Sequence, residues 1–227
     1  MIWQQECLYC KHYVYKTATN NLKCSCCKKK YSRARVNKIL FLMECFIRNI
    51  SALEASKLYH ISYISTKNYY HDFRLLCAAV SEEHYEKIRE KSVEYEEYFY
   101  IEKSKKSQKN ALFDAHNFLT FDYEGYIYTI LMPSMHKYKA QFLQDQIEEV
   151  YIEELNKFKR QSRIIKVSKH YNTIVKFWEY FEAKITLYKG ISNEYFAYYL
   201  KEFEFKFNYS KEEALELLIQ NYFKEQT

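Results

Sequence analysis

The sequence predicts a mixed α/β fold, and three features of its 227 residues lead to that prediction. Two Cys-x-x-Cys pairs lie close to the start of the chain. Apolar residues then recur with helical spacing as far as residue 77, and from residue 93 they follow strand-like patterns. Helical spacing returns between residues 172 and 223. Strands followed by helices predict a core of three antiparallel strands with parallel additions.

The two cysteine pairs are Cys7/Cys10 and Cys24/Cys27, about one hairpin apart. Each pair places two thiolates at a tight turn, and two such turns can close a tetrahedron around one zinc ion. We therefore predict a zinc ribbon whose metal site is structural and closed to water. Cys26 leaves one alternative open, because Cys24-x-Cys26 could supply the ligands instead.

Unmetallated thiols, or two disulfides in a secreted protein, are the other interpretations of these cysteines. The remaining thiols, Cys26, Cys45 and Cys77, leave an odd total, and the chain shows no apolar signal segment. Both observations favour a reducing cytosol. No apolar run approaches the length of a membrane span, so we expect a soluble, cytoplasmic protein without a membrane partner.

Positive charge is concentrated at the start of the chain. Residues 1–50 carry ten basic side chains against two acidic ones, within a chain of formal net charge +6. Such a concentration predicts a polyanionic partner, with nucleic acid the first candidate and a solvated basic face the alternative. The residues expected to contact phosphates form a short connector after the ribbon: Lys28, Lys29, Lys30, Arg33 and Arg35.

Three helices are predicted after this connector. The first runs from Asn37 to Ile47, a capping box formed by Ser51 and Glu54 starts the second, and the third runs from Tyr63 to about Cys77. A short middle helix joined to the third by three or four residues describes a helix-turn-helix, or alternatively a simple helical bundle. The third helix would read a major groove, and its candidate DNA contacts are Tyr63, Ser65, Thr66, Lys67, Tyr70 and Arg74.

The remaining elements define the core. In order they are a charged linker helix (82–91), a strand (93–101), a polar loop (103–109), two strands (111–121 and 126–132) joined by a hairpin at Tyr123-Glu124-Gly125, a helix (137–148), a short strand (150–152) and three helices (172–187, 193–207 and 211–223). The predicted domains are therefore a ribbon (1–35), a helix-turn-helix (36–80) and a core (81–227).

Two segments near the end of the chain carry a family resemblance, together with the order of the elements before them. One reads His-Tyr-Asn-Thr-Ile-Val-Lys-Phe-Trp (170–178), and the other contains Leu-Lys-Glu-Phe-Glu-Phe-Lys-Phe-Asn (200–208). With the cysteine pairs and three helices in front, the chain resembles the ISXO2-like family of bacterial insertion-sequence transposases. The resemblance covers nearly the whole chain.

The resemblance implies an RNase H-like core in which three acids hold two divalent metal ions for DNA strand transfer. The first two acids match Glu96, with Glu97 beside it, and Glu153, where the family has aspartates. The third acid falls at Val175, and valine cannot coordinate a metal ion. Asp114 and Asp122 are not convincing substitutes, because solvent-facing or turn positions explain them.

Three hypotheses follow. The first is a transposase-derived protein that binds double-stranded DNA, such as inverted-repeat ends, but no longer transfers strands. The second is an active transposase that uses Glu96 and Glu153, and only this one requires magnesium. The third is a zinc-stabilised protein-interaction module. The resemblance also implies association with the bacterial nucleoid and a homo-oligomer on paired DNA ends.

Overall fold

The structure is a computed structural model that describes residues 6–18, 21–90, 94–102, 115–133, 172–188 and 191–224. These residues form six helices and two antiparallel sheets of three strands each. The mixed α/β class predicted from the sequence is therefore confirmed. The chain divides into two compact units, Met1–Glu83 with Tyr209–Thr227, and His84–Asn208.

Most of the elements lie within a few residues of the predicted bounds, and the third helix is the main exception. In chain order they are β1 (Val14–Lys16), β2 (Leu22–Cys24), β3 (Lys30–Tyr31), α1 (Arg33–Ile47), α2 (Ala52–Leu58), α3 (Tyr63–Ile88), β4 (Glu94–Tyr100), β5 (His116–Tyr123), β6 (Tyr126–Leu131), α4 (Thr173–Ile185), α5 (Asn193–Asn208) and α6 (Lys211–Lys224). The helix predicted at 137–148, the strand at 150–152 and the loop at 103–109 lie outside the described residues.

The small sheet of the first unit is an antiparallel ribbon with the order β1-β2-β3. Val14 pairs with Cys24, and Leu22 pairs with Tyr31. All four side chains are buried. The pairing therefore fixes Cys24 against a small apolar cluster at the end of β2.

Helix α3 is longer than the sequence analysis predicted. A helix ending near Cys77 and a separate linker helix at 82–91 were expected, but one helix runs from Tyr63 to Ile88. The segment contains neither proline nor glycine, so nothing in it breaks the backbone hydrogen bonds. Val80 and Ser81 are also buried, which stabilises the helix across the predicted gap.

The last helix, α6, belongs to the first unit, whereas the predicted domains placed it with the core. Its aromatic residues pack against that unit: the rings of Tyr222 and Phe73 are 5.9 Å apart, and those of Phe223 and Tyr9 are 5.8 Å apart. The first unit is thus built from both ends of the chain.

The second unit contains the larger sheet, with the order β4-β5-β6. A two-residue turn joins β5 to β6, and both of its residues have positive φ, 54° at Glu124 and 98° at Gly125. This is the backbone of a tight hairpin that suits the twist of the strands. The side chain of Asp122 accepts a hydrogen bond from the Gly125 amide at 2.7 Å, so Asp122 has the turn role that the sequence predicts.

Aromatic side chains from α4 and α5 fill the core of this unit. Trp178 is fully buried, and its indole nitrogen donates a hydrogen bond to Thr120 Oγ1 at 2.9 Å. Tyr98 lies against Trp178, and its hydroxyl donates to Glu182 at 2.6 Å. The buried polar atoms of these large residues are therefore paired, as stable burial requires.

Helix α5 covers the free edge of β6 with polar side chains. Asn208 accepts from the Ile127 amide at 2.8 Å and donates to the Ile127 carbonyl at 2.6 Å. Glu204 accepts from the Thr129 amide at 2.7 Å. The two side chains take the place of a neighbouring strand, which satisfies the edge and shields it from pairing with other chains.

Two helices begin with the same reciprocal capping box, one at Ser51 and one at Ser210. The hydroxyl of each serine accepts from the amide three residues later, and the glutamate there, Glu54 or Glu213, accepts from the serine amide. The serine hydroxyl and amide lower the pKa of both carboxyl groups. The capping box predicted at Ser51 is thereby confirmed.

We expect these caps to make the first unit less stable in acid. Because the folded-state pKa of each glutamate is lowered, its contribution is present above the ordinary glutamate pKa and is lost as the pH falls through the folded value. Ser51→Ala should cost about 1 kcal/mol at pH 7. Thermal melts at pH 7 and pH 3 check this: Glu54→Gln and Glu213→Gln should reduce the pH dependence, whereas Glu90→Gln, an exposed glutamate outside both caps, should not.

None of the helices in the described part of the chain is both long and apolar enough to cross a bilayer.

Candidate functional site: a four-cysteine centre beside a basic surface

The sulfur atoms of Cys7, Cys10, Cys24 and Cys27 converge within the first unit, and all lie within 4.8 Å of one another. The Cys7 and Cys27 sulfurs are 3.7 Å apart, and those of Cys10 and Cys24 are 3.4 Å apart. Four Zn–S bonds of about 2.3 Å place the sulfurs of a tetrahedral site about 3.8 Å apart. The cysteine tetrad is therefore compatible with the structural zinc predicted from the sequence.

Both Cys-x-x-Cys pairs are built on the same backbone turn. The amide of the first cysteine donates to the carbonyl five residues later, at 2.7 Å in the first turn and 3.0 Å in the second. The residue after each second cysteine has positive φ, 61° at Lys11 and 63° at Lys28. Left-handed backbone at these two positions lets the chain reverse within six residues, at a cost that glycine would avoid.

Backbone amides face the sulfurs. The Cys26 amide lies 3.3 Å from Cys24 Sγ, and the amides of His12 and Lys29 donate to the sulfurs of Cys10 and Cys27. Amide donors stabilise negative charge on sulfur, and the thiolate is the form that binds a metal. The turns therefore prepare the sulfurs as ligands.

The four thiols differ in how readily they ionise without a metal. Burial raises the pKa of Cys7 to about 12 and also raises the pKa of Cys27. A backbone amide lowers the pKa of Cys10 to about 5. Burial opposes ionisation of Cys24, but amides later in the same turn outweigh it and lower the pKa of that thiol. Because a zinc site requires four thiolates, metal binding should release protons.

Cys26 lies outside the tetrad, and its side chain is exposed. Cys27 supplies the fourth sulfur of the tetrad, so the geometry agrees with Cys-x-x-Cys and not with Cys-x-Cys spacing in the second pair. Four protein sulfurs around one ion leave no coordination position for water. The tetrad can therefore stabilise the ribbon, but it offers no site for a reaction.

Basic side chains continue from the second turn into the start of α1. Lys28, Lys30 and Arg35 are exposed, and Lys29 and Arg33 are partly buried. These five residues are called the basic connector below. A cavity of about 180 Å³ lies at this position, and its lining includes two members of the connector, Lys30 and Arg35.

The start of α1 has an unusual charge distribution. Ser32 caps the helix, two arginines lie in its first turn, and no acidic residue is present there. The amino terminus of a helix attracts anions and repels cations, so this arrangement is unfavourable in the free protein. A bound anion would remove the repulsion, since helix amino termini are ready sites for phosphate groups.

Helices α2 and α3 are joined by four residues. His60 in this turn has a φ of 53°, and the Ile61 amide donates to the Ser56 carbonyl at 3.0 Å, which closes the end of α2. This pattern is a common way to end a helix, although glycine is the usual residue at the left-handed position. Ser62 then caps α3 by accepting from the Ser65 amide.

Three of the predicted DNA contacts on α3 are exposed. Tyr63, Ser65 and Lys67 lie on the first two turns of the helix with their side chains in solvent. These positions are accessible to a partner.

The other three predicted contacts on α3 are wrong, because their side chains are buried. Thr66 donates to the Ser62 carbonyl, Tyr70 donates to the Ile50 carbonyl at 3.0 Å, and Arg74 lies 5.8 Å from the Phe46 ring. Residues four apart share one face of a helix, and in α3 this face packs inward.

In the second unit, Glu96 lies on the face of β4 that meets the start of α4. The Asn172 amide group, which also caps α4, is 3.5 Å from Glu96 Oε1. Glu96 Oε2 is buried without a hydrogen bond from the described residues. Val175, in the first turn of α4, is 1% exposed. Glu153 lies outside the described residues, so its position relative to Glu96 stays a prediction.

One residue near the cysteine tetrad was not anticipated. A ring nitrogen of His12 lies within 4.8 Å of the sulfurs of Cys10 and Cys26. His12 follows Cys10 by two residues, and this spacing could have indicated a further ligand. Four cysteines already complete the coordination of one zinc ion, so the sequence pattern did not require a histidine.

Comparisons with protein-family models, with curated proteins and with solved structures each returned no match.

Proposed function

We propose that this chain is a zinc-stabilised DNA-binding protein derived from an insertion-sequence transposase, and that it no longer transfers DNA strands. The proposal that the chain binds DNA depends on one observation, the basic connector beside the cysteine tetrad. The ribbon holds Lys28 and Lys30, while Arg33 and Arg35 lie in the first turn of α1. Lysine and arginine on a rigid support are the groups that neutralise DNA phosphates.

The connector also gives a reason for binding an anion. The two arginines oppose the helix dipole of α1, and no acidic residue offsets them in the first turn. A phosphate at the helix amino terminus relieves this repulsion and accepts hydrogen bonds from the free amides. The unfavourable interaction at the start of α1 in the unbound protein is thereby relieved when DNA binds.

Helices α1 to α3 support the same assignment. A helix-turn-helix requires a short middle helix, a tight turn and a third helix with exposed polar residues at its start. Helix α2 has seven residues, and α3 begins with Ser65 and Lys67 exposed. In this proposal the start of α3 enters the major groove and the basic connector contacts the backbone.

The proposed loss of strand transfer depends on α4. Two-metal strand transfer requires acids that bring two divalent ions together. Under the transposase resemblance, Glu96 supplies one acid, and the start of α4 should supply another close to it. Val175 stands at that position. Its side chain is buried and has no donor atom, so it cannot bind a metal ion. Magnesium is therefore no part of the proposed function.

DNA binding is tested with a charge-reversal variant. In Lys30→Glu/Arg35→Glu, affinity for a DNA duplex should fall at least about tenfold at low salt, and the slope of log K against log salt should fall by about 2, one for each lost phosphate contact. Fluorescence anisotropy over a salt series measures both quantities. Lys211→Glu, a change of the same sign at the start of α6, should leave the slope unchanged.

Two outcomes would contradict the proposal. If the wild-type protein binds no duplex at low salt, the first unit does not bind DNA. If magnesium-dependent nicking of inverted-repeat ends occurs and Glu96→Gln abolishes it, the chain is an active transposase.

A protein-interaction role is the second candidate, and exposed apolar side chains favour it. Four large ones lie on α2 and the start of α3: Leu53 (50% exposed), Leu58 (61%), Tyr63 (49%) and Ile64 (70%). Exposed apolar residues in a group are typical of protein contact surfaces. Loss of self-association in Leu58→Ser/Ile64→Ser, with DNA affinity unchanged, would favour this candidate.

A further inference from the structure

A second group of metal-ligating side chains lies beside the cysteine tetrad. The sulfurs of Cys10 and Cys26 and a ring nitrogen of His12 are all within 4.8 Å of one another. Cys10 belongs to the tetrad as well, whereas His12 and Cys26 do not. Both of these side chains are exposed, while two tetrad sulfurs, those of Cys7 and Cys24, belong to fully buried residues. The second group is therefore open to solvent.

A hydrogen bond fixes the tautomer and the ring orientation of His12 in a way that suits metal binding. Its Nδ1 atom lies 2.8 Å from the Cys10 carbonyl oxygen. A carbonyl can only accept, so in the neutral imidazole the proton is on Nδ1 and the lone pair is on Nε2. Histidines that bind metals commonly donate their other ring N–H to a carbonyl, which fixes the ring orientation. His12 has this arrangement.

We propose that His12, Cys26 and Cys10 bind a second zinc ion, with the Cys10 thiolate bridging it to the ion in the tetrad. Zinc accepts this combination of sulfur and nitrogen ligands, at bond lengths that place ligand atoms about 3.5–3.8 Å apart. The second ion has three protein ligands and one position for water. It is consequently more accessible and more easily removed than the ion in the closed tetrad.

Charge favours a second cation at this place. Four thiolates around one zinc ion have a net charge of about −2, so the tetrad attracts a further positive ion. Cys26 adds one thiolate and His12 adds a neutral ligand. The two zinc ions and five thiolates then leave a net charge of about −1, which is smaller than that of the tetrad alone.

Exchange of a single ion between the two groups is the competing arrangement. Moving one ion from the tetrad to Cys10, His12 and Cys26 replaces four protein ligands with three. It also leaves the converging sulfurs of Cys7, Cys24 and Cys27 without the metal ion that their arrangement fits. Two ions with a shared sulfur avoid both losses. The two arrangements differ in stoichiometry, which can be measured.

Native mass spectrometry of the full chain, in chelator-free buffer with excess zinc and a reductant, counts the bound ions. The wild type should carry two zinc ions, and His12→Ala and Cys26→Ser should carry one each. Two control variants should not change the count: Ser25→Ala, in the same turn as Cys26, and His60→Ala, in the turn before α3. One zinc ion in the wild type, or two in both site variants, would overturn the proposal.

Alkylation of Cys26 provides a second readout, and its main comparison uses only the wild-type protein, so it does not depend on the folding of a variant. The exposed thiol should react with iodoacetamide in protein that holds one zinc ion, and the second ion should slow the reaction at least about tenfold, because the bound thiolate is no longer a free nucleophile. His12→Ala should remove this protection. Equal reaction rates with one and two equivalents of zinc would contradict the shared site. The outcome is independent of whether the first unit binds DNA.

Discussion

Removal of zinc from the cysteine tetrad should unfold the β1–β3 ribbon and destabilise the first unit. Structural zinc contributes about 10–16 kcal/mol of apparent binding free energy in zinc-finger peptides, which is as large as the total stability of most domains. The ribbon consists of strands of two or three residues. Strands of this length bury too little apolar surface to fold alone, and a zinc ion bound to the tetrad would supply the difference.

Cys24→Ser is the sharpest variant for this test, because Cys24 is fully buried and belongs to the tetrad but not to the second cysteine–histidine group. Hydrogen–deuterium exchange should show loss of protection in residues 6–36, while β4 to β6 keep theirs. A strong chelator should produce the same pattern in the wild type. Cys45→Ala removes a buried thiol that is not a ligand, and it should lower the melting temperature modestly without changing the zinc content.

The second unit provides an internal reference. Trp178 is buried in its core, and with Trp3→Phe as background it is the remaining tryptophan of the chain. Its fluorescence should be unchanged while the ribbon unfolds. A ribbon that keeps its exchange protection in Cys24→Ser, or after chelation, would show that the tetrad does not hold a structural metal.

The features that could be predicted from the sequence are those that depend on neighbouring residues. The tetrad follows from two Cys-x-x-Cys turns, each of which forms within six residues. The cap at Ser51 likewise involves residues three positions apart. Local hydrogen bonding determines these features, and distant packing has little influence on them.

The features that could not be predicted depend on contacts between distant segments. Which face of α3 is buried is decided by packing against other helices, and Phe46 on α1 occupies the space beside Tyr70. The apolar residues of α3 are spread around the helix and do not form one clear stripe, so their spacing gives little guidance. Thr66 and Arg74 look like surface residues in the sequence, and their burial became apparent only from the fold.

Helix α6 is a second example. Its sequence predicts an amphipathic helix with nearly the correct bounds, yet nothing in the sequence indicates which partner its apolar face meets. Tyr222 and Phe223 pack on Phe73 and Tyr9, more than one hundred residues away along the chain. The shapes and volumes of the side chains decide which distant segments pack together, and the spacing of apolar residues along the chain does not specify them.

The segment that carried the transposase resemblance has a physical role of its own. Lys201, Glu204 and Asn208 lie on one side of α5, three and four residues apart, and Glu204 and Asn208 bond to the backbone of β6. Lys201 also donates to Glu204, so all three residues take part in the polar contact between α5 and β6. The pattern therefore has a structural explanation in the way the helix packs on the sheet.

Replacement of Glu204 should strongly destabilise the second unit. The carboxylate is fully buried and accepts three hydrogen bonds on Oε2, from the Thr129 amide at 2.7 Å, the Thr129 hydroxyl at 2.5 Å and the Lys201 ammonium at 2.8 Å. Lys201 is itself largely buried, and its ammonium lies 3.6 Å from the centre of the Tyr128 ring. Glu204→Leu leaves the amide, the hydroxyl and the ammonium group without their acceptor. The expected loss is about 3–5 kcal/mol, as measured when one partner of a buried ion pair is removed.

Urea denaturation followed by Trp178 fluorescence checks this value. The double variant Glu204→Leu/Lys201→Met removes the positive charge of Lys201 and keeps its apolar stem. If the loss arises because the Lys201 ammonium group has no partner, the double variant should be about 1–3 kcal/mol more stable than Glu204→Leu alone. Glu194→Ala, an exposed glutamate on the same helix, should change the free energy of unfolding by less than about 1 kcal/mol. A loss of this small size in Glu204→Leu itself would mean that the contacts of Glu204 with β6 do not hold α5 on the sheet. Because the carboxylate satisfies an edge strand, the variant should also aggregate more readily than the wild type at equal protein concentration.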